Sequence, residues 1–112
     1  MKRIFKHLFR QMDNNDIDIE ILKRLQNQGT RIVDVRSKRE YEEGHINGSI
    51  NIPEYEINSK FEKIFTDYNE TIILYCSTGA RSKRACKKLI KKGYTNIFNL
   101  YGGIESWKRT KN

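Results

Sequence analysis

The feature that most constrains the fold is a nearly all-apolar run, Thr71-Ile-Ile-Leu-Tyr75, that passes directly into Cys76-Ser-Thr-Gly-Ala-Arg-Ser82 and then into a stretch of helical periodicity. Apolar and β-branched residues without polar alternation read as a strand buried on both faces, and such strands belong to parallel sheets covered by helices. Beyond the small-residue loop, Ala85, Cys86, Leu89 and Ile90 share one face and the lysines take the other, which predicts a helix over 82–92 lying on that sheet and ended by Gly93.

The rest of the chain repeats the alternation. Ile17, Ile21, Leu22 and Leu25 recur at helical spacing, predicting a helix over 17–28 with Gly29 as its C-terminal cap. Ile32-Val-Asp-Val35 reads as a strand, and Lys38-Arg-Glu-Tyr-Glu-Glu43 as a short helix stopped by Gly44. Ser49-Ile-Asn-Ile52 is extended because the residue before Pro53 is pushed out of the helical region. Ile57, Phe61, Ile64 and Phe65 predict another helix, 94–100 a last strand, and the residues after Gly102-Gly103 a short helix holding Ile104 and Trp107. Strand and helix in alternation argue for an α/β domain with a mostly parallel sheet and right-handed crossovers.

At 112 residues the chain has room for one domain with one core and one cleft. No apolar run reaches the roughly 18 residues of a membrane span, and the N-terminus lacks the apolar centre of a secretory signal, so a cytoplasmic protein with no membrane association is expected. Two cysteines are too few for a disulfide framework, which leaves each of them as core filler or as chemistry. The net charge of +8 favours an anionic partner without naming one. Part of the excess is concentrated between Arg81 and Lys92, where seven basic residues stand with no acid among them. That stripe is open to three readings: a solvated helix face, a field that steers anions, or a dock for an acidic protein. Nucleic-acid binding is not expected, because no exposed aromatics interleave with the lysines.

The segment from Cys76 to Ser82 carries the chemistry. It lies at the carboxyl end of a strand, where open α/β sheets bind ligands. Small residues let a loop curl so that successive backbone N–H groups face inward, and Gly79 can take a conformation closed to other residues. Cys76, near the positive end of the following helix and near Arg81, is placed to carry a stabilised thiolate, which is a usable nucleophile.

Four segments in order resemble the single-domain rhodaneses, a sulfurtransferase family: Ile32-Val-Asp-Val-Arg36; Tyr41-Glu-Glu-Gly-His-Ile-Asn-Gly-Ser-Ile-Asn-Ile-Pro53; Leu74-Tyr-Cys-Ser-Thr-Gly-Ala-Arg-Ser82; and Leu100-Tyr-Gly-Gly-Ile-Glu-Ser-Trp107. The resemblance implies a five-stranded sheet flanked by helices on both faces and a rhodanese-like domain over 17–110, which leaves 1–16 as a basic N-terminal extension whose first dozen residues read as an amphipathic helix. It implies catalysis by Cys76 through a persulfide, with Ser77, Thr78, Gly79, Ala80 and Arg81 binding the substrate. The implied reactants are a small anionic sulfur donor and a thiol, protein or cyanide acceptor, with no cofactor, no metal and a monomeric or weakly dimeric state. Arg81 is assigned to the anionic donor or to bracing the loop. Cysteine phosphatases of related fold place one more residue between Cys and Arg; here that position is Ser82, so phosphatase is the alternative, followed by a non-catalytic sulfur-carrier or protein-binding module. The same resemblance makes Asp34 and Arg36 a structural pair tying the sheet to the loop of Glu43 and His45. His45 stands without metal-ligand spacing, and Cys86 on the core face of its helix reads as packing.

Overall fold

The computed structural model describes residues 12–110. Apart from Met12, the basic helix expected over the first dozen residues lies outside them. Strands β1 (Asp16–Ile17), β2 (Arg31–Asp34), β3 (Ile50–Asn51), β4 (Ile72–Tyr75) and β5 (Ile97–Leu100) form one sheet in the order β1-β5-β4-β2-β3. Every neighbouring pair is parallel. Parallel neighbours require crossovers, and these are supplied by α1 (Ile19–Asn27), α2 (Lys38–Glu43), α3 (Ile57–Ile64) and α4 (Ala80–Lys92), while α5 (Gly103–Arg109) follows the last strand.

The all-apolar run becomes the central strand, with all four residues of β4 buried. The period of two divides them between two cores. Ile72 and Leu74 join Ile57, Phe61, Ala85, Cys86 and Leu89 under α3 and α4, whereas Ile73 and Tyr75 join Leu22, Leu100 and Ile104 under α1 and α5. Both faces are therefore covered, as the family resemblance implied, and each fully buried aliphatic side chain contributes roughly 1.5–3 kcal/mol.

Local chemistry sets the element ends. Asp18 accepts the N–H of Ile21 at 2.9 Å and starts α1 two residues later than the apolar spacing indicates, which frees Asp16–Ile17 to form the edge strand β1. Ser37 and Glu40 close a reciprocal capping box at the start of α2. Helix α4 begins at Ala80 rather than at Ser82, with Gly79 at its cap and no side-chain cap. The last strand is shorter than expected because Tyr94 leaves the ladder and inserts its ring into the core, its hydroxyl donating to the Phe65 carbonyl at 2.7 Å.

Candidate active site

Cys76 follows β4 and is 1% exposed. Its sulfur receives the Gly79 N–H at 3.1 Å and the Ser82 N–H at 3.4 Å, and the Ser82 hydroxyl lies 3.3 Å away. These dipoles stabilise negative charge on Sγ. Gly79 can aim its N–H inward because its φ is +121°, a conformation that side chains rarely adopt. Of the five amides from Ser77 to Arg81, Gly79's is the one bonded to the sulfur, and Ser82, beyond that span, supplies the other. Thr78 and Ala80 are exposed at the mouth, Ser77 and Arg81 half-buried beside it.

The loop is held from two sides. The Arg81 guanidinium grips Glu40 of α2 with contacts of 2.7 and 3.0 Å and reaches Ser77 Oγ at 3.0 Å. The Arg81 hydrogen bond holds the Glu40 carboxyl down at about 2, against the penalty of its partial burial. Arg81 is thus engaged in bracing the loop. On the other side, the N–H groups of Ile104 and Glu105 donate to the carbonyls of Cys76 (2.8 Å) and Ser77 (3.3 Å). That approach depends on Gly103, where an added Cβ would stand 2.4 Å from both carbonyl oxygens. The glycine pair is accordingly the seat of the loop, and Trp107 packs behind it on the α1/α5 core.

The other singled-out residues have structural partners. Arg36 binds the buried Asp34 carboxylate with Nη2 at 2.8 Å and, through the same nitrogen, the Gly44 carbonyl at 2.6 Å, tying the end of β2 to the loop before His45. His45 stacks on Tyr41 with ring centroids 3.7 Å apart, and its Nδ1 lies 2.7 Å from the Tyr41 carbonyl. Cys86 is buried in the α3/α4 core, and that burial pushes its thiol up to about 12, so it stays protonated. Among the described residues no three His, Cys, Asp or Glu side chains group as metal ligands, and no helix is long and apolar enough to cross a membrane.

The basic stripe is partly neutralised by acids from distant segments. Lys83 pairs with Asp13 (2.9 Å) and Asp16 (3.1 Å), Arg84 with Glu54 (2.8 Å), Lys92 with Glu62 (2.9 Å), and Arg81 with Glu40. Among the described residues Lys87, Lys88 and Lys91 form no ion pair, and with the exposed Ile90 they line a shallow groove. A separate cavity of about 350 Å³ between α2 and the segment from Pro53 to Lys60 holds none of the residues around Cys76.

Sequence reasoning passed over Glu40, Asn99 and Asp16. The Ser37-x-x-Glu40 pattern signals a helix start, but nothing local shows that Glu40 also faces Arg81. Asp16 and Asn99 are polar residues in a two-residue and a four-residue strand respectively, and only the pairing of β1 with β5 brings them side by side behind the loop.

Fold and site together define a parallel α/β domain with a cysteine seated in a donor-lined loop at the carboxyl edge of its sheet. The rhodanese-like domain model matches residues 18–110, and the chain belongs to that family. It is 42% identical over 77 residues to the uncharacterized protein YqhL of Bacillus subtilis, an alignment covering 69% of this chain and 60% of that one. To a sulfurtransferase of Allochromatium vinosum it is 34% identical over 97 residues, 85% of this chain and 89% of the relative. Its fold matches the human single-domain sulfurtransferase TSTD1 with a TM-score of 0.80 at 25% identity, covering 89% of this chain and all (100%) of that one. A rhodanese-related protein from Thermoplasma volcanium matches with a TM-score of 0.73 at 33% identity, covering 86% and 92% of the two chains.

Proposed function

We propose that this protein is a sulfurtransferase that carries a sulfane sulfur on Cys76. The observation that carries the reading is the pair of backbone N–H groups, from Gly79 and Ser82, directed at Sγ of a cysteine that is almost fully enclosed. In the first step the Cys76 thiolate attacks the outer sulfur of thiosulfate. A new S–S bond forms, the S–S bond of thiosulfate breaks, and sulfite leaves with the bonding pair. Cys76 is left as a persulfide with the negative charge on its terminal sulfur. In the second step a thiolate or cyanide attacks that sulfur and the Cys76 thiolate leaves, so the cycle balances without oxidant, metal or organic cofactor.

The α4 N–H groups of Ala80 and Arg81 lack intrahelical acceptors, as first-turn amides do, and they border the mouth where charge on the terminal sulfur develops. Donors of this kind lower the barrier by a few kcal/mol each, on the order of 3 kcal/mol where one has been removed. The enclosure of Cys76 favours a single sulfur atom over a phosphate monoester, and the engagement of Arg81 by Glu40 removes the guanidinium that a phosphatase would turn to its substrate. A reducing, cytoplasmic setting and a monomeric or weakly dimeric state suit this chemistry, since the thiol must stay free. Mass spectrometry of the intact protein after thiosulfate tests the reading: one added sulfur, removed by cyanide, is expected, and an unchanged mass overturns it.

A further inference from the structure

Behind Cys76 runs a buried hydrogen-bonded chain that the transfer chemistry does not require. The Ser82 hydroxyl, 3.3 Å from Sγ, also contacts the Gly79 carbonyl at 3.1 Å and Asn99 Oδ1. Asn99 Nδ2 donates to Asp16 Oδ1 at 2.9 Å. The other carboxylate oxygen of Asp16, Oδ2, takes the Asp13 N–H at 2.8 Å and Lys83 Nζ at 3.1 Å. Ser82 and the Asp16 side chain are fully buried at 0% exposure, and Asn99 is 2% exposed.

Each link has a defined polarity. A carboxylate only accepts, so Asp16 Oδ1 compels Asn99 to present its NH₂ on that side and its carbonyl oxygen to Ser82. A hydroxyl has one proton, and both of the oxygens facing Ser82, Asn99 Oδ1 and the Gly79 carbonyl, need a donor. The Gly79 carbonyl already accepts the Lys83 N–H at 3.0 Å, which leaves Asn99 with the stronger claim. The Ser82 proton is therefore turned away from the sulfur, and its lone pairs face Sγ.

We propose that Asp16 and Asn99 are positioning residues that act through Ser82, withholding its hydroxyl proton from the Cys76 thiolate. A thiolate stabilised by fewer donors is the better nucleophile, whereas in the persulfide the charge sits on the outer sulfur, away from Ser82. The chain thus raises the energy of the free thiolate relative to the loaded form. This rests on Cys76 as the sulfur carrier, but its test does not depend on sulfur transfer.

The substitution Asp16→Asn reverses the polarity with the smallest change. Lys83 and the Asp13 N–H retain the remaining oxygen, so the new NH₂ takes the place of Oδ1. Asn99 must then turn its carbonyl toward residue 16 and its NH₂ toward Ser82, which frees the hydroxyl proton for Sγ. The charged groups on the loop side of the sulfur, Arg81 and Arg84 with Glu40 and Glu54, are untouched.

In a Cys86→Ala background, iodoacetamide alkylation of Cys76 is followed against pH. Asp16→Asn is expected to move the midpoint to lower pH by about half a unit or more, as a hydrogen bond to the charged form does. Asn99→Leu, which removes the acceptor, must move it the same way and serves if Asp16→Asn does not fold. Adding Ser82→Ala must abolish the shift. An unchanged midpoint in a folded variant, or the same shift in the absence of the Ser82 hydroxyl, overturns the proposal. Failure of the thiosulfate adduct with the shift intact would instead refute the assigned activity alone.

Discussion

Glu40 and Arg81, 41 residues apart in sequence, meet in a two-pronged ion pair that joins α2 to the first turn of α4 beside Cys76. The pair fixes the rim of the loop from outside while Gly103 and the amides after it fix its floor.

Its contribution to stability depends on pH in a defined direction. The Glu40 carboxyl lies at about 2 in the folded protein against 4.5 for an unperturbed glutamate, chiefly through the Arg81 hydrogen bond. A depressed acid stabilises the fold above its unfolded value, and that contribution is lost as pH falls from there through about 2. Glu40→Gln should therefore lower stability near neutrality by about 1 kcal/mol, a figure discounted for solvent screening of a partly exposed pair. Urea titrations at several pH values should show the two proteins converging as the acid range is crossed; a constant gap would contradict this account.

Cys76→Ser should abolish thiosulfate-to-cyanide sulfur transfer. Cys86→Ala should retain most of it, because a buried, protonated thiol at about 12 offers no nucleophile near neutral pH. Steady-state thiocyanate assays of both variants decide the matter, and loss of turnover in the Cys86 variant alone would reverse the assignment.

Gly103→Ala places a methyl 2.4 Å from two backbone carbonyls at a φ of +57°, so it should destabilise by roughly 3 kcal/mol or more through overpacking and backbone strain. Gly29→Ala, at a φ of +90° with nothing within 4 Å, should cost only about 1–2 kcal/mol. Thermal unfolding of the pair separates crowding from conformation, and equal losses would show that the close approach beneath Cys76 is unimportant.

The unpaired lysines, rather than the whole stripe, are the ones available to steer a dianion. Lys87→Glu with Lys91→Glu should lower kcat/KM for thiosulfate several-fold, flatten its salt dependence and leave kcat nearly unchanged, since a Debye length of about 10 Å at 0.1 M screens such a field. Lys83→Glu should behave differently and reduce stability, because it sets a carboxylate against Asp13 and Asp16. Stopped-flow or steady-state rates over a salt series measure the first effect, and identical slopes for parent and double variant rule steering out.

The strand at 72–75 is legible in sequence as an unbroken apolar run, the mark of burial on both faces, and the lysine-faced helix as a periodic one, the mark of burial on a single face. So is Cys76 at their junction, since a strand, small residues and a helix in direct succession have few alternative geometries. β1 left no such trace: two residues cannot show a period, and its partner lies 83 positions away at Asn99. The start of α4 was misplaced because Gly79 caps it through its backbone alone. Four of the seven basic residues, Arg81, Lys83, Arg84 and Lys92, are opposed by Asp13, Asp16, Glu40, Glu54 and Glu62, which charge counting within one segment does not reach.

The seating of the Cys76 and Ser77 carbonyls on the amides of Ile104 and Glu105 also sets an order of assembly. A chain growing on the ribosome has its cysteine in place long before the residues that shape the pocket around it exist. Until Glu105 has been synthesised and α5 has docked, the Cys76 and Ser77 carbonyls lack these two donors, so the loop around the thiol is completed only by the last helix of the domain.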